Sequence, residues 1–162
     1  MKEILLNKEG YQEFYEELKR LKDLSLNIAS TGSEEYDSAV GDGWHDNFAF
    51  EESMRESRKI ASHINKMLEE EKYLKRVEKT TNNNLIDIGD ILLVKVIYSE
   101  EDIEEYMIKL TGKYLPNTNN KIKEISLNSP IGKSIYLKDI NDNNIYYYVN
   151  DKKIDIKIIR RI

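Results

Sequence analysis

Apolar positions recur along this chain with two different periods, and the change of period divides it. Tyr11, Phe14, Leu18, Leu21, Ser25 and Ile28 step by three and four residues, the amphipathic stripe of a helix and close to the heptad spacing of a coiled coil. Asn7, ahead of Lys8-Glu9-Gly10, suits an N-cap, because its short amide can accept from a free N–H of the first turn. The pattern weakens at Ser30-Thr31-Gly32-Ser33. Glycine costs a helix about 1 kcal/mol relative to alanine, so a kink or break is expected at Gly32. A second stripe runs through Phe50, Met54, Ser57, Ala61, Ile64 and Leu68, widened by Met67 and Leu74. Phe48 and Phe50 are expected to start its apolar seam, and no Gly or Pro interrupts residues 44–79. Gly41-Asp42-Gly43 between the stripes is turn chemistry. Two long helices joined by a turn fold back antiparallel, and an arm of about 30 residues would carry that turn about 45 Å away.

Thr80-Thr81-Asn82-Asn83-Asn84 obeys neither period and reads as a linker. Beyond it, Asp90–Tyr98, Glu105–Leu110, Ile145–Val149 and Lys153–Ile159 are rich in β-branched and aromatic residues, the composition of strands. Asn150-Asp151 between the last two is a hairpin turn. The expected fold class is α+β. Residues 1–79 form an antiparallel coiled-coil hairpin with an acidic tip near 41–47, residues 80–85 a linker, and residues 86–162 a small antiparallel β domain with at most one short helix near Ser129–Ser134.

Composition narrows the chemistry. The 162 residues hold no Cys and two His, which removes disulfides, thiolate metal sites and cysteine nucleophiles and disfavours a His-based metal cage. No apolar run approaches the ~20 residues of a membrane helix, and Met1-Lys2-Glu3-Ile4 lacks a signal-peptide core. A soluble, cytoplasmic protein without a membrane partner is expected. The net charge of −5 is local: residues 1–79 carry 13 Lys or Arg against 18 Asp or Glu, whereas the two signs balance in residues 80–162. No Lys or Arg occurs between Lys22 and Arg55, an interval that holds eight acids, Asp42 and Asp46 among them. A protein that binds free duplex normally shows the opposite sign.

The segment from Ser33 to Glu52 concentrates the unusual side chains. Asp42 and Asp46 are hard oxygen ligands of the kind Mg²⁺ takes, but two carboxylates alone hold it weakly. Such a pair would act where another macromolecule already holds metal or phosphate; alternatively both are turn and N-cap residues. His45 is a general base, a ligand or a solvated turn residue. Trp44, the single Trp, is a packing plug or an exposed contact anchor. Arg55, Arg58 and Lys59 share one helix face, able to track a nucleic-acid backbone or to be neutralised by Glu51, Glu52 and Glu56. A phosphate-binding glycine loop, a nucleophile elbow and a zinc pattern are all missing, so no enzyme that works alone is expected.

Three stretches together resemble the Gre family (GreA/GreB) of bacterial transcript-cleavage factors. They are Glu16–Lys22, the tip Gly41-Asp42-Gly43-Trp44-His45-Asp46-Asn47-Phe48-Ala49-Phe50-Glu51, and Glu124-Ile125-Ser126-Leu127-Asn128-Ser129-Pro130-Ile131-Gly132-Lys133-Ser134. The tip is similar to the family's Gly-Asp-x-x-Glu-Asn-x-x-Tyr, and the third stretch to its Ile-Ser-x-x-Ser-Pro-Ile-(Ala/Gly). In order and separation they span essentially the whole chain. The resemblance implies an FKBP-like C-terminal domain that docks on RNA polymerase through the region of Ser129, Pro130 and Ile131. It implies a monomer whose hairpin enters the secondary channel, with Trp44, His45 and Asn47 as tip contacts near the 3′ end of backtracked RNA. Asp42 and Asp46 would share an Mg²⁺ ion with the polymerase active site, no metal being bound by the factor alone.

Two departures from the family pattern stand at the tip. One extra residue separates the acids, and the second acid is Asp, one methylene shorter than Glu. His45 stands three residues after Asp42, where spacing alone would put the Glu, so an Asp42/His45 pairing stays open. The first arm also lacks the family's usual Arg/Pro-containing segment. The leading expectation is stimulation of Mg²⁺-dependent cleavage of backtracked RNA by polymerase. The runner-up is a paralogue that occupies the channel and modulates transcription without cleavage, and the third is an adaptor whose coiled coil pairs with an unrelated helix.

Overall fold

The structure, a computed structural model, describes residues 3–38 and 47–162, with the backbone alone for 32–38, 47 and 49. It is a mixed α+β fold that divides into two compact units, residues 1–13 with 74–162, and residues 14–73. In chain order the elements are β1 (Ile4–Leu6), α1 (Lys8–Ser38), α2 (Asn47–Glu71), β2 (Leu74–Arg76), β3 (Ile91–Ile97), β4 (Ile103–Thr111), β5 (Ile122–Ser126), α3 (Pro130–Ile135), β6 (Ile145–Val149) and β7 (Lys152–Arg161). Among the described residues, no helix is long and apolar enough to cross a membrane.

The larger unit is built on a five-stranded sheet in the order β5-β4-β3-β7-β6. β3 is central, and its strict alternation sends Leu92, Val94 and Val96 into the core, as a period of two requires. Ile108, Leu110, Leu127, Ile135, Ile145, Ile154 and Ile156 are buried in the same core. Asn150 and Asp151 both have positive φ, 48° and 63°, which makes the β6–β7 connection the expected two-residue turn, of the type that matches strand twist. The sheet departs from the expected all-antiparallel arrangement at one pair, since β5 runs parallel to β4. The connection that returns the chain is pinned at both ends. Glu13 accepts the N–H groups of Tyr114 and Leu115 at 3.0 and 3.1 Å, and Glu124 accepts that of Asn117 at 2.8 Å.

Two further strands, β1 and β2, form a separate parallel pair with Ile4 opposite Leu74. Leu74, expected on the second helix, is therefore a strand residue. The segment 79–90 is held by a buried charge cluster. Asp87 accepts from the Thr80 and Ile88 N–H groups, and Asp90 accepts from Asp87 N–H and pairs with Arg161 at 3.0 Å. Arg161 also donates to the carbonyls of Asn83 and Leu85, both at 2.6 Å.

In the helical unit, α1 buries Phe14, Leu18 and Leu21 and half-buries Ser25 and Ile28, in keeping with the stripe read from the sequence. The helix does not break at Gly32. The Ser30 and Thr31 hydroxyls donate back to the Asn27 carbonyl at 2.8 Å, so both polar groups are satisfied within helical geometry. On α2 the buried seam is Ser53, Ser57, Ile60, Ile64 and Met67, whereas Phe50, Met54, Ala61 and Leu68 are exposed. Of the expected stripe, Ser57, Ile64 and the widening Met67 belong to this seam. Both sets obey heptad spacing, and burial of the large Ile60 and Met67 side chains decides the rotation. The turn expected between the helices lies outside the described residues.

Candidate functional site

At the N-terminus of α1, Asn7 caps as expected, its Oδ1 accepting from Gly10 N–H at 2.8 Å. A Cβ at Gly10 would fall 2.0 Å from the Gly112 carbonyl oxygen, so only glycine permits this approach. Lys113 lies between Glu9 at 3.4 Å and Glu124 at 3.3 Å. The Asn117 N–H, then Lys113, hold the Glu124 carboxyl below its ordinary range against the opposing effect of burial. The Lys113 ammonium is raised, with Glu124 the main cause.

The docking candidates Ser129, Pro130 and Ile131 open α3. Ser129 is its N-cap: Oγ accepts from Gly132 N–H at 3.0 Å and donates to the Ser126 carbonyl at 2.8 Å. Pro130 occupies the first helical turn, where its missing N–H costs nothing, and is exposed. Ile131 is half-buried and packs on the core. Gly132 is buried, and a Cβ there would meet the Ser126 carbonyl oxygen at 2.0 Å. Asn128 donates to the Leu5 carbonyl at 2.9 Å and accepts from the Leu5 N–H at 2.7 Å, pairing with β1 as a strand would. Sequence reasoning missed this second use of the stretch, because its partner lies 123 residues away.

The tip candidates Asp42, Trp44, His45 and Asp46 lie outside the described residues, and Asn47 is the first residue of α2. The first turns of α2 are unusually open. Phe48 is 78% exposed, Phe50 39% and Met54 41%, so the expected start of an apolar seam faces outward. Arg55, Arg58 and Lys59 are arranged along the same helix, Arg55 and Lys59 exposed. Arg55 reaches Glu52 only at 3.9 Å, with both side chains solvated, a pair worth little. Among the described residues, Arg58 and Lys59 have no ion-pair partner. Phe50, Glu51, Met54, Arg55 and Arg58 line a groove of about 370 Å³, which brings apolar area, two guanidinium groups and one carboxylate to one place. Elsewhere in this unit, the Glu17 carboxyl on α1 is lowered, chiefly by its bidentate bond to Arg20 at 2.7 Å and further by the charge of His63 on α2. Among the described residues, no group of three or more Asp, Glu or His could hold a metal.

Solved structures similar to this chain along nearly its whole length are those of a transcription factor. Its Thermus thermophilus form, GreA factor homolog 1 (Gfh1), is 18% identical with a TM-score of 0.43, each chain covered to 99%. A second structure, of "the transcription factor Gfh1", is 16% identical with a TM-score of 0.43 and covers 98% of this chain and 97% of its own. The Thermus aquaticus Gfh1 is 17% identical with a TM-score of 0.45 and 99% coverage of both. The similarity is distant. No family model matches the chain, and no curated protein matches it.

Proposed function

We propose that this chain is an accessory factor of bacterial RNA polymerase that inserts a helical tip into the secondary channel and stimulates cleavage of backtracked RNA. The observation that carries the reading is where the acidic pattern resembling the Gre tip, residues 41–51, stands in the sequence. It follows a helix of 31 residues and ends within the first turns of one of 25, ahead of Arg58 and Lys59, which have no ion-pair partner among the described residues. At about 1.5 Å per residue, α2 alone is ~37 Å long, a length suited to reaching into a channel. The electrostatic effect of His63 on Glu17 and the buried faces of α1 and α2 support the two helices pairing as a hairpin.

In this reading the FKBP-like unit docks through Pro130 and Ile131, the Ser129 hydroxyl being engaged as a cap. Arg55, Arg58 and Lys59 lie along the RNA backbone, and Trp44, His45 and Asn47 fit the tip into the site. Asp42 and Asp46 would be the residues that help hold an Mg²⁺ ion belonging to polymerase, and such an ion would supply an activated water for phosphodiester hydrolysis. The factor contributes position and charge, and polymerase contributes the reaction.

The test is direct. Purified backtracked elongation complexes incubated with the protein and Mg²⁺ should release short 3′ RNA fragments, and Asp42→Ala or Asp46→Ala should abolish the release. Absence of fragments with the unaltered protein would sink the cleavage reading. One observation favours a second reading: the extra residue between the two acids. Because a misplacement of ~1 Å can cost about 100-fold in a site that works by positioning, the chain would then occupy the channel and modulate transcription without cleavage. That protein would compete with a cleavage factor while releasing no RNA.

A further inference from the structure

The two edges of the five-stranded sheet are built differently. β5 carries Lys123 and Glu124 within five residues, the charged guarding by which edge strands avoid pairing with other chains. β6, at the opposite edge, is Ile145-Tyr146-Tyr147-Tyr148-Val149 and carries no charge and no proline. The two-residue turn makes Val149 and Lys152 a hydrogen-bonded pair, so by alternation Tyr147 and Ile145 also bond to β7. The N–H and C=O groups of Tyr146 and Tyr148 then point away from β7, toward the open edge. Among the described residues, no backbone hydrogen bond from outside the sheet closes these four groups.

A groove of about 420 Å³ runs beside this edge, with Pro130, Lys133 and Ser134 on one side and Tyr146, Tyr147 and Tyr148 on the other. Tyr146 is 41% exposed and Tyr148 60%. No carboxylate lines the groove, and Lys133 has no anionic partner among the described residues.

We propose that the groove between α3 and β6 is a docking site for an extended, acidic peptide segment of a partner protein, added to the sheet as a sixth strand. Backbone pairing with Tyr146 and Tyr148 supplies the register, the tyrosine faces supply apolar contact, and Lys133 selects a carboxylate. Only an extended chain presents donors and acceptors at the spacing that alternate residues of a strand require. The groove shares Pro130 with the surface proposed above to dock on polymerase, so the two occupants exclude each other there, and a test that contains no polymerase separates them.

The probe is an acetylated, amidated heptapeptide of alternating threonine and valine with a central glutamate, titrated into the ¹⁵N-labelled full chain and followed by NMR. The expected result is saturable shifts centred on the Tyr146 and Tyr148 amides. N-methylation of alternate peptide amides should weaken binding at least about tenfold, since it removes two or more backbone hydrogen bonds. Lys133→Glu should weaken the glutamate peptide about fivefold and favour a lysine-bearing one, the scale of an exposed ion pair. Tyr148→Pro, which removes an outward-pointing N–H together with the ring that packs edge-on against Tyr146, should reduce binding while the β6–β7 hydrogen bonds are kept. Equal binding by the N-methylated peptide, or shifts confined elsewhere, would overturn the proposal. So would self-association through β6 in sedimentation, with no peptide binding.

Discussion

Between Thr111 and Gly132, polar side chains are committed to the fold. Glu124 holds Asn117 and Lys113, Asn128 completes a pairing with Leu5, and Ser129 caps α3 while bonding Ser126. In the first turns of α2, by contrast, Phe48 is solvated and Arg58 and Lys59 have no described ion-pair partners. Part of each stretch, Glu124–Gly132 and Asn47–Glu51, belongs to the pattern that resembles Gre factors, yet for different physical reasons. The first constrains a backbone that must pass within a glycine's width of itself. The second leaves charge and apolar area facing outward, where only a partner can use them.

The contrast can be broken or sharpened by substitution, beginning where the effect is largest. Leu127→Ala, at a fully buried position, should cost about 3–4 kcal/mol, read from chemical denaturation. Gly132→Ala should cost about 1–3 kcal/mol, because the added methyl meets backbone rather than a movable side chain. Asn128→Ala should cost about 1–2 kcal/mol and accelerate hydrogen exchange at the Leu5 amide. A smaller effect depends on pH. Because the Glu124 carboxyl is depressed in the folded chain, its contribution is present above its ordinary value of 4.5 and is lost as pH falls through the folded value. Acid denaturation of Glu124→Gln should lack that component. Smallest for stability, Arg58→Ala with Lys59→Ala should change unfolding by under about 0.5 kcal/mol while reducing RNA fragment release. A large loss of stability there would return this face of α2 to a structural role.

Much of the fold was legible because it depends on local rules. The α1 stripe, the Asn7 cap, the Asn150-Asp151 turn and the short helix after Ser129 each declare themselves within a few residues. The three-residue strands β1 and β2 did not, since a strand that short is defined by its partner, and Ile4 meets Leu74 only in the folded chain. β5 was hidden for a related reason: Ile122-Lys123-Glu124-Ile125-Ser126 has a weak strand pattern and is held by pairing with β4. The cationic face of α2 was legible as spacing, but the lack of ion-pair partners for Arg58 and Lys59 among the described residues was not, because Glu51, Glu52 and Glu56 have the right spacing to pair with it.

The sequence by itself determined that two long helices precede a sheet, where the negative charge of the chain is concentrated, and which residues could cap and turn it. All of these arise from propensity and period over a few residues. Tertiary structure decided the face on which α2 is buried, the parallel placement of β5, and the burial of Asp87 and Asp90 against Thr80 and Arg161. Each is a choice among locally equivalent arrangements, settled by the packing of groups far apart in the chain.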